Sequence, residues 1–191
     1  MIILKMYITM LPVIIAGTLN MLFVRTPLYR RLNRPMDGGG TLRDGRRVFG
    51  DNKTWAGFFG MIIFGAAAQA LWGGVCAGFP ELCPIYSRFA NTLPFNLAAG
   101  AAMGFAYVLF ELPNSLVKRR LDIPSGKTAR GFKGAVFFVV DQVDSLLGVG
   151  GVFAALFPMT VWEYFAYILL GAGTHIAVNA ILYAARIRKN L

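Results

Sequence analysis

Five stretches of this chain, at about residues 6–24, 55–79, 93–112, 134–157 and 161–185, are almost wholly apolar. Each comes close to or exceeds the roughly 20 residues that a helix needs to cross a bilayer. Together they take up more than half of the 191 residues, so no second soluble domain fits beside them. The chain is 57% hydrophobic, too apolar for an ordinary soluble domain. Helices are the expected form, because a helix satisfies its own backbone hydrogen bonds in lipid. The sequence therefore predicts an all-α membrane protein with five transmembrane helices in a single domain over 1–191.

The first stretch begins with Lys5 and could pass for a signal peptide. Its apolar run continues to Val24, no small-x-small cleavage site stands out, and a basic stretch follows, so it reads as a spanning helix.

The net charge of +10 suggests nucleic acid or anionic lipid until the charges are mapped. Residues 25–53 hold eight Lys and Arg, residues 113–133 hold six, and the tail adds Arg186, Arg188 and Lys189. The other side has only Lys5 and Arg88. A split of 17 to 2 is the positive-inside pattern. It predicts an N-terminus outside and a cytoplasmic C-terminus, and it removes the need for a nucleic-acid partner. Orientation alone accounts for Arg25, Arg30, Arg31 and the tail.

The loop RPMDGGGTLRDGRRVFGDNKTW (34–55) has five glycines and no apolar period, which argues for irregular backbone. Asp51 or Asn52 is the expected N-cap of the second long helix. A second basic loop is expected over 113–133, opening at Pro113. Gly100-x-x-x-Gly104 reads as a close helix contact. Cys76 and Cys83 flank the outer end of the second long helix; they read as two unpaired packing cysteines, with a disulfide as the alternative if that side is oxidising.

The fourth apolar stretch, GAVFFVVDQVDSLLGVGGVFAALF, carries Asp141 and Asp144. An aspartate at a helix centre costs about 2.5–3.5 kcal/mol on insertion scales. The i, i+3 spacing puts both on one face, which must look into the bundle or a wet cleft. At about 1.5 Å per residue they lie roughly 10–16 Å from the cytoplasmic end, within reach of cytosolic ligands. The pattern suits a divalent metal site, because magnesium takes one or two carboxylates and completes its shell with water and substrate phosphates. A purely structural pair is the plainer alternative.

Other polar residues fall on the same side. Glu111 ends the third stretch, followed by Asn114, Ser115, Lys118, Arg119 and Arg120. Gly50, Asn52, Lys53 and Thr54 stand where the second long helix begins, and a helix N-terminus attracts phosphate. Acidic groups for a metal, basic groups for phosphates and a glycine-rich loop on one face suit phosphoryl and nucleotidyl transfer.

Ser125-Gly126-Lys127-Thr128 imitates the end of a P-loop, but Leu121 stands where the upstream glycine belongs and no strand precedes it. His175, the only histidine, with Asn179 one turn on, reads as an interhelical hydrogen bond. Glu163 needs no functional account.

Three blocks, PMDGGGTLRDGRRVFGDNKTWAGF (35–58), ELPNSLVKRR (111–120) and DQVDSLLG (141–148), resemble the CDP-archaeol synthase family, a small relative of the phosphatidate cytidylyltransferases. The resemblance runs from about residue 20 to 150, with the blocks in the family order. It implies five membrane helices, an outside N-terminus and a cytoplasmic active site. It also implies a magnesium-dependent reaction of CTP with a phosphorylated membrane lipid to give a CDP-lipid, of CDP-archaeol or CDP-diacylglycerol type, and pyrophosphate. Carried onto this chain, Asp141, Asp144 and Glu111 would hold the metal. Lys118 would act beside them, and Gly50, Asn52, Lys53, Thr54, Asn114, Ser115, Arg119 and Arg120 would bind the substrates. Phe110-Glu111 departs from the Gly-Asp of the family pattern, and Ala56 stands where a basic residue is common. A homodimer is a possible assembly.

The rival reading is a small transporter or ion pathway using intramembrane carboxylates. It expects polar residues through the whole membrane depth, whereas here they cluster in one half. The spaced Asp-Gly…Ala-Arg…Gly…Asp…Asp signature of a CDP-alcohol phosphotransferase is not present around Asp141.

Overall fold

The computed structural model of the protein describes residues 1–127 and 129–184. The basic tail, with Arg186, Arg188 and Lys189, and with it the expected cytoplasmic C-terminus, lies outside the described residues. Among the described residues there are six α-helices: α1 (Ile2–Phe23), α2 (Pro27–Leu32), α3 (Trp55–Cys76), α4 (Leu93–Arg120), α5 (Gly131–Leu156) and α6 (Val161–Ala184). All except the six-residue α2 are long and apolar enough to span a membrane. Large apolar side chains such as Ile63, Leu71 and Leu169 stand exposed on their outer faces, as a lipid surroundings requires.

The bundle is built on α3 and α4, with α5 on the far side of α4, α1 against α3 and α6 against α5. Small residues set the α3–α4 approach. A Cβ on Gly65, Gly100 or Gly104 would run into the facing backbone, so the Gly100-x-x-x-Gly104 pattern marks the close contact expected. Met61, Met103 and Phe153 fill the centre.

The third spanning helix does not stop at Pro113. Proline has no N–H to give the carbonyl four residues back, which removes one bond. Packing on α3 and α5 carries α4 onward to Arg120. The consequence is functional: Glu111, Asn114, Ser115 and Lys118, at i, i+3, i+4 and i+7, become one helical face. The α2 turn was not expected either. Thr26 caps it by accepting from Tyr29 N at 3.1 Å, with Pro27 at its first position.

At the opposite end, Cys76 and Cys83 form a disulfide, contrary to the unpaired cysteines expected. Two 3-10 turns, Pro80–Leu82 and Pro84–Tyr86, fold the loop back and bring the two Cα atoms to 6.1 Å, inside the usual range for a disulfide. Glu163 and Thr160 form a capping box at the start of α6: Thr160 N donates to Glu163 and Glu163 N to Thr160 Oγ1 at 3.2 Å.

Candidate active site

The glycine-rich loop is folded around one carboxylate. Asp37, with its side chain only 1% exposed, accepts from Gly39 N at 3.1 Å, Phe49 N at 3.0 Å and Gly50 N at 2.8 Å. Arg47 adds two more bonds, from Nη2 at 2.6 Å and Nε at 3.2 Å. Gly38 and Gly39 have φ of +56° and +86°, a region that non-glycine residues rarely enter, and this lets the chain wrap the carboxylate. Burial by itself would raise the Asp37 pKa. The bond from Arg47 and those from Gly50, Phe49 and Gly39 outweigh it and hold the carboxyl well below the usual carboxylate range.

The loop is also clamped to the end of α4. Arg120 donates to Asp44 at 2.5 Å, to Arg46 O at 3.0 Å and to Arg47 O. Arg46 in return donates to Arg120 O and to Asp122 at 2.6 Å. Arg120, expected among the phosphate ligands, is therefore committed to holding the loop. Thr54 is likewise structural. It replaces the expected Asp51 or Asn52 as N-cap of α3, accepting from Gly57 N at 3.1 Å and bonding Tyr29 Oη at 2.8 Å. The first N–H of α3, on Trp55, goes to Arg34 O, so this helix start is not a free phosphate cradle. Gly50 has φ of +88°, and a side chain there would overlap Ser125. It is the seat on which loop 121–127 rests.

Between these loops and the helices lies a chamber of about 420 Å³, within the range of small-molecule sites. The α4 face lines it with Glu111, Asn114, Ser115, Lys118 and Arg119. Asn52 and Lys53 come from the glycine-rich loop, Asp141 and Asp144 from α5. Asp141 and Asp144 sit about 15 and 20 Å along α5. One amide ties them: Asn114 Nδ2 donates to Asp141 Oδ1 and to Asp144 Oδ2, both at 2.7 Å. Lys118 Nζ lies 2.5 and 2.6 Å from the two Asp141 oxygens. Ser145 N donates to Asp144 Oδ1 at 2.7 Å. Lys53 forms an ion pair with Glu111, each side chain about a quarter exposed. Arg119 donates to Ser125 at 2.7 Å.

A divalent cation fits this donor set. Asp141 and Asp144 offer hard oxygens on one face, and Asn114 Oδ1 is buried there with no partner. The expected cluster of three carboxylates does not form. Among the described residues no three Asp, Glu, His or Cys side chains gather closely enough to hold an ion, and Glu111 is engaged by Lys53 instead.

Sequence reasoning missed several chamber residues. Ser125, Gly126 and Lys127 line it from the loop that follows α4. Their signal was a lysine in a basic loop that must pass the same mouth. Gln142, Tyr107, His175 and Asn179 also line it. His175 and Asn179 thus face the chamber, where Asn179 Oδ1 is buried without a partner.

The whole chain matches known proteins. The CarS-like CDP-archaeol synthase family model covers residues 1–190. The CDP-archaeol synthase of Methanococcoides burtonii is 32% identical over 171 residues, spanning 82% of this chain and 89% of that protein. That of Archaeoglobus fulgidus is 31% identical over 163 residues, 81% and 82% of the two chains. A solved structure described as an intramembrane enzyme for archaeal membrane lipids biosynthesis superposes with a TM-score of 0.62, at 28% identity and over 91% of this chain and 92% of that one. With five spanning helices, a glycine-rich loop folded over a polar chamber and this match along its full length, the chain belongs to the CDP-archaeol synthase family of membrane enzymes.

Proposed function

We propose that the protein transfers the cytidylyl group of CTP to the phosphate of a membrane lipid, giving a CDP-lipid of archaeol or diacylglycerol type and releasing pyrophosphate. The observation that carries this reading is the pair Asp141–Asp144, joined by Asn114, opening onto a chamber whose other walls bear Lys53, Lys118, Arg119 and Lys127. A triphosphate and a lipid phosphate are both anions, so bringing them together requires such an arrangement.

Magnesium held by Asp141 and Asp144, with Asn114 alongside, would neutralise the charge on the triphosphate and the leaving pyrophosphate. Lys118 and Lys53, now paired with Asp141 and Glu111, stand at the chamber wall as mobile point charges for phosphate oxygens. Arg119, oriented by Ser125, offers a planar fork. Asn114 keeps the two carboxylates at a fixed separation. The loop pinned by Asp37 and Arg120 brings Phe49, Asn52 and Lys53 to the chamber wall. No strong general base is needed, because a phosphate monoester is largely ionised near neutral pH.

The charge split of 17 to 2 supports an orientation with the chamber facing the cytoplasm and the disulfide end outside. In the test, purified protein in nanodiscs is incubated with labelled CTP, magnesium and a panel of lipid phosphates, and pyrophosphate is measured. Release that depends on one lipid phosphate supports the reading; none with any lipid would overturn it.

A further inference from the structure

Away from the chamber, one face of the molecule sets open apolar surface beside arginines that have no acidic partner. The end of α1, the short α2 and the first turns of α3 enclose an open groove of about 470 Å³, with Phe23, Leu28, Leu32, Trp55, Phe59 and Ile63 among its walls. Leu28, Leu32, Phe59 and Ile63 are each half or more exposed. Trp55 and Phe59 stack with ring centroids 5.8 Å apart. None of the groove residues lines the chamber, so the two sites are separate.

The groove is apolar inside and basic at its edge. At about 100° per residue, Arg31 falls roughly 60° round α2 from Leu28, whereas Arg30 falls roughly 160° from both Leu28 and Leu32, on the opposite face. Arg34 O accepts from Trp55 N at 3.0 Å, which holds Arg34 beside the aromatic pair. Both Arg31 and Arg34 are exposed. Arg46, Arg47 and Arg120 are each answered by an aspartate, but among the described residues Arg31 and Arg34 form no ion pair. Chain orientation explains why basic residues lie at this end. It does not explain why two unpaired ones border an apolar groove. A phosphate fits there, because a guanidinium offers it a fork of two donors. A tryptophan at the same level is a membrane-interface anchor. A second copy of the chain suits the groove poorly, since a symmetric contact would bring the same unpaired arginines face to face.

We propose that the α2–α3 groove binds an anionic membrane phospholipid that takes no part in the reaction. Its phosphate is held by Arg31 and Arg34, and one of its chains lies on Leu28, Leu32, Phe59 and Ile63. The bound lipid acts on the rest of the molecule through α2. Tyr29 Oη bonds Thr54 Oγ1 at 2.8 Å, Pro35 bridges to Thr54, and Met36 N donates to Lys53 O at 2.8 Å. A seated lipid therefore steadies the start of α3 and the segment that carries Lys53 to the chamber.

The test places the protein in phosphatidylcholine nanodiscs that contain an increasing share of brominated phosphatidylglycerol or of brominated phosphatidylcholine. Bromine quenches a tryptophan it touches. In every background the Trp55 signal is the difference between protein with and without Trp55→Phe, which removes the contribution of Trp72 and Trp162. Brominated phosphatidylglycerol should quench Trp55 at a lower share of the bilayer than brominated phosphatidylcholine. Arg31→Ala and Arg34→Ala should each weaken that preference about fivefold, and Arg30→Ala should leave it unchanged. The melting temperature of the wild type should rise with phosphatidylglycerol, and that of the Arg31→Ala/Arg34→Ala double variant should rise less. Equal quenching by the two lipids, or an equal loss in Arg30→Ala, would overturn the proposal. So would a Trp55 that neither lipid quenches, the result expected if a second copy covers the groove. None of these readouts depends on turnover, so they stand apart from the transfer reaction.

Discussion

The molecule buries polar side chains at both ends, and the two clusters are built differently. At the disulfide end, Gln69 donates to Tyr86 Oη at 3.1 Å, Tyr86 Oη to Asn96 Oδ1 at 2.8 Å, Asn96 Nδ2 to Asn91 Oδ1 at 2.7 Å and Asn91 Nδ2 to Gly73 O at 2.7 Å. Every member is uncharged and the chain of bonds closes on backbone, with one acceptor, Gln69 Oε1, left buried without a partner. Burial raises the Tyr86 pKa against the lowering effect of its bonds to Gln69 and Asn96, which keeps the hydroxyl a donor. At the chamber end the groups are charged and open to 420 Å³ of space, and Asn114, Gln142 and Asn179 each keep an unpartnered oxygen. An uncharged network tied to backbone stabilises a fold; one that leaves charges and several acceptors facing a cavity is built for a ligand.

Ligand removal should separate the two ends most sharply. Chelation should abolish turnover and excess magnesium restore it, while the melting temperature of the protein without nucleotide stays constant. Activity that persists in chelator would erase the distinction drawn for the aspartate pair.

Smaller losses are expected from the cationic wall. A hydrogen bond to a charged group contributes about 1.5–3 kcal/mol, so Lys118→Ala and Lys53→Ala should each lower kcat/KM by roughly 10–100-fold. Arg30, exposed on α2, should be silent when changed to Ala. Steady-state kinetics with varied CTP decide this, and equal losses in all three would mean a general effect of basic charge.

Asp37→Asn should loosen the loop, lowering stability by about 1–3 kcal/mol and activity severalfold. The pH dependence has a definite sign. The folded pKa of Asp37 lies below its unfolded value of about 3.9, so its stabilisation is fully present above about pH 4 and is lost as the pH falls toward the folded pKa. Thermal melts across that acid range should be flatter for Asp37→Asn than for the wild type.

The smallest effect on catalysis belongs to the other end. Tyr86→Phe strands Gln69 and Asn96 and should cost about 1–2 kcal/mol of stability with no change in kcat or KM. A kinetic defect there would mean that the uncharged network also serves the reaction.

Much of this was legible in the sequence because the membrane simplifies the physics. Apolar length gives the spanning helices, and the cost of Asp141 and Asp144 in lipid singles them out. What stayed hidden depends on long-range closure. Asp37 looks like one more loop residue until positive-φ glycines bring three N–H groups around it. Arg120 reads as a phosphate ligand until the loop supplies carbonyls for it. Pro113 reads as a helix end because local sequence does not show that neighbouring helices support the chain through it. The Cys76–Cys83 pairing needed the two 3-10 turns, which have no periodic signature.

The central claim is that Asp141 and Asp144 lie in the membrane to work on a nucleotide rather than to hold the bundle together. It is tested most directly by measuring pyrophosphate release from CTP and lipid phosphate by Asp141→Asn and Asp144→Asn at saturating magnesium, beside their melting temperatures. Asparagine keeps size and polarity but lacks the charge a hard cation needs. The account predicts that each variant loses nearly all turnover while staying folded, and that Asp144→Asn, freed of a costly buried charge, melts at or above the wild-type temperature. Variants that stay active, or that lose activity only by unfolding, would contradict it.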